Sequence, residues 1–140
     1  MSTKKIIHFF TEYLVAFKHY DLDKVVTSYH MPCTLHMPDE IVLLKNTKAC
    51  QQALVNIFNQ LQQEKTSDII AKKSSYSVIT DNVFLVSIDW VFIDEQGEVF
   101  TDFCAIYHLI LLDNELKIIN VVSHDLSNSQ SLDYPFVLTN

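Results

Sequence analysis

Three sets of residues in this chain have types suited to chemistry. His30, Cys33, His36 and Asp39 bring two imidazoles, a thiol and a carboxylate together in a short stretch. They are metal-ligating types, but their spacing matches no ordered zinc signature and Pro32 and Pro38 interrupt it, so no metal site is expected. Asp102 and Asp125 form the second set. Two carboxylates held close cannot both ionise cheaply, so one is pushed up and the pair acts as acid and base; two solvated strand-end aspartates are the plainer reading. Tyr13 and His108 form the third, a phenol and an imidazole that both donate hydrogen bonds to an oxygen. Cys33, Cys50 and Cys104 are odd in number, lack CxxC spacing and sit in apolar patterns, which makes them reduced core residues. His8, His19 and His124 have no convergent partners and are expected at the surface.

Composition removes whole classes of function. The chain has 140 residues, one glycine (Gly97) and no arginine. Phosphate-cradling loops and nucleophile elbows need several glycines, so neither is available, and no cofactor is implied. Without arginine there is no guanidinium fork for carboxylate, phosphate or guanine. The net charge of −7, with the lysines scattered along the sequence, offers no basic stripe for nucleic acid. The longest apolar stretch, residues 103–112, is interrupted by His108 and is far short of the roughly 20 residues that span a bilayer. His8, Glu12 and Lys18 break up the apolar N-terminal stretch, which reads as a helix rather than a signal peptide. One cytoplasmic domain without membrane attachment is expected.

The elements that position the candidates follow from periodicity. Ile6, Phe10, Tyr13, Phe17 and Tyr20 alternate at spacings of three and four, giving a helix over residues 4–20 with one wide apolar face. Asp21 caps a short helix from Leu22 to about Tyr29, which Pro32 ends. Short strands at 33–37 and 41–45 flank Pro38. Asn46 or Thr47 caps a third helix to about Glu64, with Cys50, Leu54, Phe58 and Leu61 on one face. From residue 68 the pattern becomes strand-like over 68–80, 83–93, 98–112 and 115–125, with turns between. The result is an α+β domain: three N-terminal helices packed on a curved antiparallel sheet. Residues 1–126 are read as one domain and 127–140 as a C-terminal tail.

The single glycine sets an expected register. Asp94-Glu95-Gln96-Gly97 fits a type I turn closed by a left-handed glycine, pairing Asp94 with Glu98. Unbroken pairing then sets Trp90 opposite Asp102 and Phe84 opposite His108, while the Asp113-Asn114 turn sets Asp102 opposite Asp125. One face would carry Trp90, Cys104, Ile106, His108, Val121 and Ser123; the other would carry Leu85, Phe103, Tyr107 and Val122. Both faces are apolar, and helices on one side cannot cover both, so a homodimer through the outer sheet face is expected.

The order of elements, with the stretch EYLVAFKHYDLDKVVTSYHMPCTLHMP, resembles the nuclear transport factor 2-like superfamily, a cone-shaped, cystatin-like fold shared by SnoaL-type polyketide cyclases, ketosteroid isomerase and scytalone dehydratase. The resemblance implies a SnoaL-like domain with a conical apolar pocket, which would draw on Phe17, Met37, Phe58, Trp90, Cys104, Ile106, Val121 and Ser123. By the ketosteroid isomerase pattern the first-helix oxyanion donor matches Tyr13, the general-base aspartate falls on Met37 and the second oxyanion donor falls on His108. The missing carboxylate argues against isomerisation of that type, and the missing arginine excludes the Asp-Arg-Asp set of limonene epoxide hydrolase. Tyr13 and His108, brought together on one carbonyl or phenolic oxygen, are the candidate catalytic pair; a buried Tyr–His core bond is the alternative. Two functions stay open: a binder of a small apolar or aromatic ligand, with cofactor-free isomerase, cyclase or dehydratase chemistry on a cyclic carbonyl compound, or a non-catalytic dimerisation or ligand-carrier module.

Overall fold

The aromatic repeat at the start of the chain forms α1 (Ser2–Lys18), which buries Ile6, Phe10, Tyr13 and Leu14. The computed structural model describes residues 2–139. Asp21 accepts from the Lys24 backbone N–H and opens α2 (Leu22–Thr27); Asn46 accepts from the Ala49 N–H and opens α3 (Thr47–Gln63). Both caps satisfy amides that the first helical turn leaves unpaired. Pro32 does not set the end of α2. The helix stops at Thr27, and Pro32 lies inside β1 (Tyr29–Met37), following a cis peptide bond.

The remaining strands are β2 (Glu40–Leu44), β3 (Thr66–Thr80), β4 (Val83–Asp94), β5 (Val99–Leu112), β6 (Glu115–His124) and β7 (Tyr134–Phe136). They form one seven-stranded sheet in the order β2-β1-β6-β5-β4-β3-β7, antiparallel throughout except where β1 runs parallel to β6. The inner face of this sheet packs against α1 and α3. Phe10 meets Tyr107 there with ring centroids 4.9 Å apart.

The predicted turn forms as expected, and the register beyond it does not. Gly97 adopts φ +79°, the Asp94 N–H donates to the Glu98 carbonyl at 2.9 Å, and Ile93 pairs with Val99. Phe92 then pairs with Thr101, leaving Phe100 as an extra residue, and from there the strand is displaced by one. Trp90 therefore lies opposite Phe103 rather than Asp102, and Val86 opposite Tyr107. A one-residue slip exchanges the two faces of a strand. Packing accounts for the bulge: it gives the ring of Phe92 both Phe100, at 6.2 Å, and Phe103, at 5.7 Å, and it keeps Asp102 out of the apolar interior. A second irregularity at Ile119 follows the expected pairing Leu109 with Ile118 and aligns Tyr107 with Val121 and His108 with Asn120.

The tail is ordered against the outer face. Ser129 donates to Asp89 Oδ2 at 2.6 Å, the Leu132 N–H to Ser75 Oγ at 2.9 Å and the Asp133 N–H to Ser77 Oγ at 3.1 Å. β7 then joins the free edge of β3. The tail covers the outer face over β3 and β4. Over the middle of β5, β6, β1 and β2 that face carries Ile106, His108, Val122, His36, Ile41 and Leu43 with the hydrogen-bonded pair Asn120 and Thr34, while Asp102, Glu115 and Lys117 stand toward the strand ends.

Candidate functional site

Between α1, α3, the β1–β2 hairpin and the inner sheet face lies a cavity of about 640 Å³. Its wall is apolar, with Phe17, Leu35, Ile57, Phe92, Phe103 and Val121 among the lining residues, and the exposed side chains Met37, Glu40, Asn56, Gln60 and Thr101 mark its mouth. At the inner end stand Trp90 and three tyrosines: Tyr13 from α1, Tyr29 from the start of β1 and Tyr107 from β5.

These four form a polar cluster of two adjacent hydrogen-bonded pairs in an otherwise apolar setting. The Trp90 indole N–H donates to the Tyr107 hydroxyl at 2.8 Å. The Tyr107 and Tyr13 rings meet edge-on with centroids 6.1 Å apart, and Tyr13 shares a hydrogen bond of 2.6 Å with Tyr29. Burial holds all three phenols well above the ordinary tyrosine value; charge repulsion from a neighbouring phenol adds to it in each, and the hydrogen bonds of Tyr13 to Tyr29 and of Trp90 to Tyr107 oppose it in part at Tyr29 and Tyr107. All three are therefore neutral hydroxyls at physiological pH. Apart from them, the only ionisable side chain lining the cavity among the described residues is Glu40, at the exposed mouth. The interior holds hydrogen-bond donors and no buried base.

The structure brings some of the expected residues together and separates others. Tyr13, Phe17, Met37, Trp90, Val121 and Ser123 line the cavity. Phe58 is buried beside it, packed edge-on to Phe17 and Tyr20 with both centroids at 5.4 Å. His108, Ile106 and Cys104 lie on the outer face because of the Phe100 bulge, and the inward position expected for His108 belongs to Tyr107. Cys104 Sγ lies 3.3 Å from Ser87 Oγ beneath the tail. Asp102 is exposed opposite Val91, whereas Asp125 caps the short turn Leu126–Asn128; the two do not pair. The backbone N–H of Ser127, assisted by its hydroxyl, holds the Asp125 carboxyl below the ordinary aspartate value. Cys33 points inward and His36 outward on β1, and no group of three or more metal-ligating side chains converges among the described residues.

The other cysteines behave as core. Burial pushes the Cys33 thiol up to about 12 and the Cys50 thiol up to about 11, so neither is a thiolate nucleophile near neutrality. Sequence reasoning did not find Tyr29, Tyr107 or Glu40. The run Phe92, Phe100, Phe103 carried the signal for Tyr107, since only an extra residue lets one ring contact both others.

The fold defines a class of α+β proteins with helices packed on a curved, mostly antiparallel sheet, and comparison with known proteins agrees on that fold. The family model described as NTF2-like protein (DUF6841) matches residues 4–126, and the chain belongs to that family. No curated protein matches. Among solved structures, an NTF2-like protein of unknown function from Shewanella oneidensis MR-1 superposes with a TM-score of 0.73 at 13% identity, covering 89% of this chain and 100% of that one. An NTF2-like protein with a cystatin-like fold from Novosphingobium aromaticivorans gives 0.74 at 8% identity over 91% of this chain and 83% of that one. A protein from Shewanella frigidimarina NCIMB 400, provisionally assigned as a ketosteroid isomerase, gives 0.68 at 13% identity over 84% and 92%. At such identities the likeness is one of fold. No helix among the described residues is long and apolar enough to cross a membrane.

Proposed function

We propose that this NTF2-like protein binds a small, largely apolar molecule in the cavity and holds one oxygen of that molecule, carbonyl or phenolic, by the Tyr29 hydroxyl. The observation that carries this reading is the cluster of two hydrogen-bonded pairs, Trp90 with Tyr107 and Tyr13 with Tyr29, set into an apolar cavity wall. An indole N–H only donates, so the Tyr107 oxygen accepts, and each phenol has one proton to pass on. In the proposed complex Tyr13 donates to Tyr29, the direction that leaves the Tyr29 proton for the ligand. That donation strengthens the next, and the surrounding low dielectric makes the terminal donor stronger than a solvated phenol.

The Tyr13–Tyr29 pair would polarise a carbonyl, as an oxyanion hole does, but the cavity supplies no base beside it. Binding and carriage therefore fit the site better than isomerisation or cyclisation. The single tryptophan provides the test. In a titration with the bicyclic ketone 1-tetralone, the Trp90 indole N–H resonance should shift and saturate, and the hydrocarbon tetralin should bind more weakly. An unmoved indole resonance, or equal affinity for ketone and hydrocarbon, would sink the reading.

A second copy of the chain is the partner we propose for the outer face. The tail leaves an uncharged, mostly apolar patch around Ile106, Val122, Ile41 and Leu43 on a molecule of net charge −7, so this is where two copies meet with least repulsion. Sizing of the wild type should give a dimer and of Val122→Glu a monomer; a monomeric wild type at high concentration counts against it.

A further inference from the structure

We infer that a second cleft, separate from the cavity, binds a small multiply charged phosphate anion. It has a volume of about 690 Å³ and lies between the first turns of α1, the short helix α2 and the β5–β6 hairpin. The two sites share no lining residue. Lys4 and Lys5 enter it from α1, Lys24 from α2 and Lys117 from β6, against the two carboxylates Glu12 and Glu115. The protein has 10 lysines and 17 acidic residues, so four lysines around one cleft make a local excess of positive charge on an acidic molecule. With four lysines against two glutamates the cleft is net positive, and such an excess raises the local concentration of anions.

The four ammonium groups are not equivalent. Lys117 donates to the Thr27 carbonyl and lies 3.7 Å from Glu115, while Lys5 donates to Asn114 Oδ1 at 2.9 Å. Those two tie the hairpin to the helices and so fix the walls. Lys4 and Lys24 make no such bond among the described residues. The first turn of α1 contains no acidic residue and carries Lys4 and Lys5, the sign of charge that the positive end of a helix disfavours. This arrangement costs stability in the free protein and becomes favourable once an anion lies against it.

The ligand class follows from the donors. Lysines act as separate point charges without the planar fork that selects a carboxylate, and four of them on three elements suit the spread oxygens of a di- or polyphosphate. Phe9 and Leu116, on the cleft floor, offer an apolar seat for the organic part of a phosphate ester.

Inorganic pyrophosphate is the probe, titrated at low ionic strength into isotope-labelled protein and followed by backbone amide shifts. Saturable shifts are expected in residues 2–9, 24–28 and 114–117. The double variant Lys4→Gln/Lys24→Gln, which spares both wall-fixing lysines, should lose about tenfold in affinity and show a shallower salt dependence. The double variant Lys45→Gln/Lys48→Gln removes the same charge elsewhere and should bind as the wild type does, with thermal melts confirming that both variants fold. The proposal is overturned by shifts that do not saturate, by equal loss in the two variants, or by capture on vesicles of anionic phospholipid without pyrophosphate binding.

Discussion

The two faces of β5 carry side chains from one apolar strand and have opposite characters. Inward, Phe103, Ala105, Tyr107 and Leu109 meet the helices and the cavity; outward, Cys104, Ile106 and His108 meet the tail or the uncovered sheet face. A single unpaired residue, Phe100, decides which set is which. The interior accepts phenols because each hydroxyl finds a partner in the cluster, whereas the alternative register would bring an imidazole and a carboxylate into the same apolar space. Candidate chemistry on a strand thus depends on a bulge several residues away from it.

The sharpest way to break the inner face is alkali. The folded chain keeps Tyr13, Tyr29 and Tyr107 protonated where the unfolded chain ionises, so their contribution to stability is complete below the ordinary tyrosine value of 10.0 and is lost as pH climbs above it. The share of tyrosinate absorbance that belongs to Tyr13, Tyr29 and Tyr107, three of the six tyrosines, should therefore appear together with cooperative unfolding, and ionisation of all six in a native fold would contradict the burial. Trp90→Ala should destabilise the protein by about 3–5 kcal/mol in denaturant melts, since it removes a buried ring and orphans the Tyr107 oxygen.

On the outer face the expected effects are smaller. Asp89→Ala removes the acceptor for Ser129 and should cost about 1–3 kcal/mol, with faster amide exchange confined to the tail. His108→Ala should leave ligand affinity unchanged and move stability by no more than about 0.5 kcal/mol. A large loss of binding in that variant would restore His108 to the site and reverse the distinction between the faces.

Much of the fold was legible in the sequence. The three- and four-residue aromatic spacing produced α1, Asp21 and Asn46 marked two helix starts, and Gly97 marked a hairpin that formed as drawn. Of the cavity lining, the positions of Tyr13, Phe17 and Trp90 were legible because they rest on helix period and on β4, whereas Cys104 and Ile106 were expected in the wall and face outward. Tyr107 and His108 were exchanged because turn chemistry sets register only at the turn, while a bulge answers to tertiary packing of Phe92, Phe100 and Phe103. Tyr29 was assigned to the end of a helix; its place at the start of β1 depends on the parallel pairing with Ile118, a long-range contact without a local signal. The tail was equally hidden, since its serines work as anchors only once Asp89, Ser75 and Ser77 are aligned on the outer face.

The central proposal is that Tyr29, at the outer end of the Tyr13–Tyr29 pair, takes the ligand oxygen. It is tested most directly by the affinity of 1-tetralone relative to tetralin, read at the Trp90 indole resonance, in the wild type and in Tyr29→Phe. A preference for the ketone of about fivefold is expected in the wild type, in line with one neutral hydrogen bond, and near parity in the variant. The same preference in both proteins would contradict the assignment.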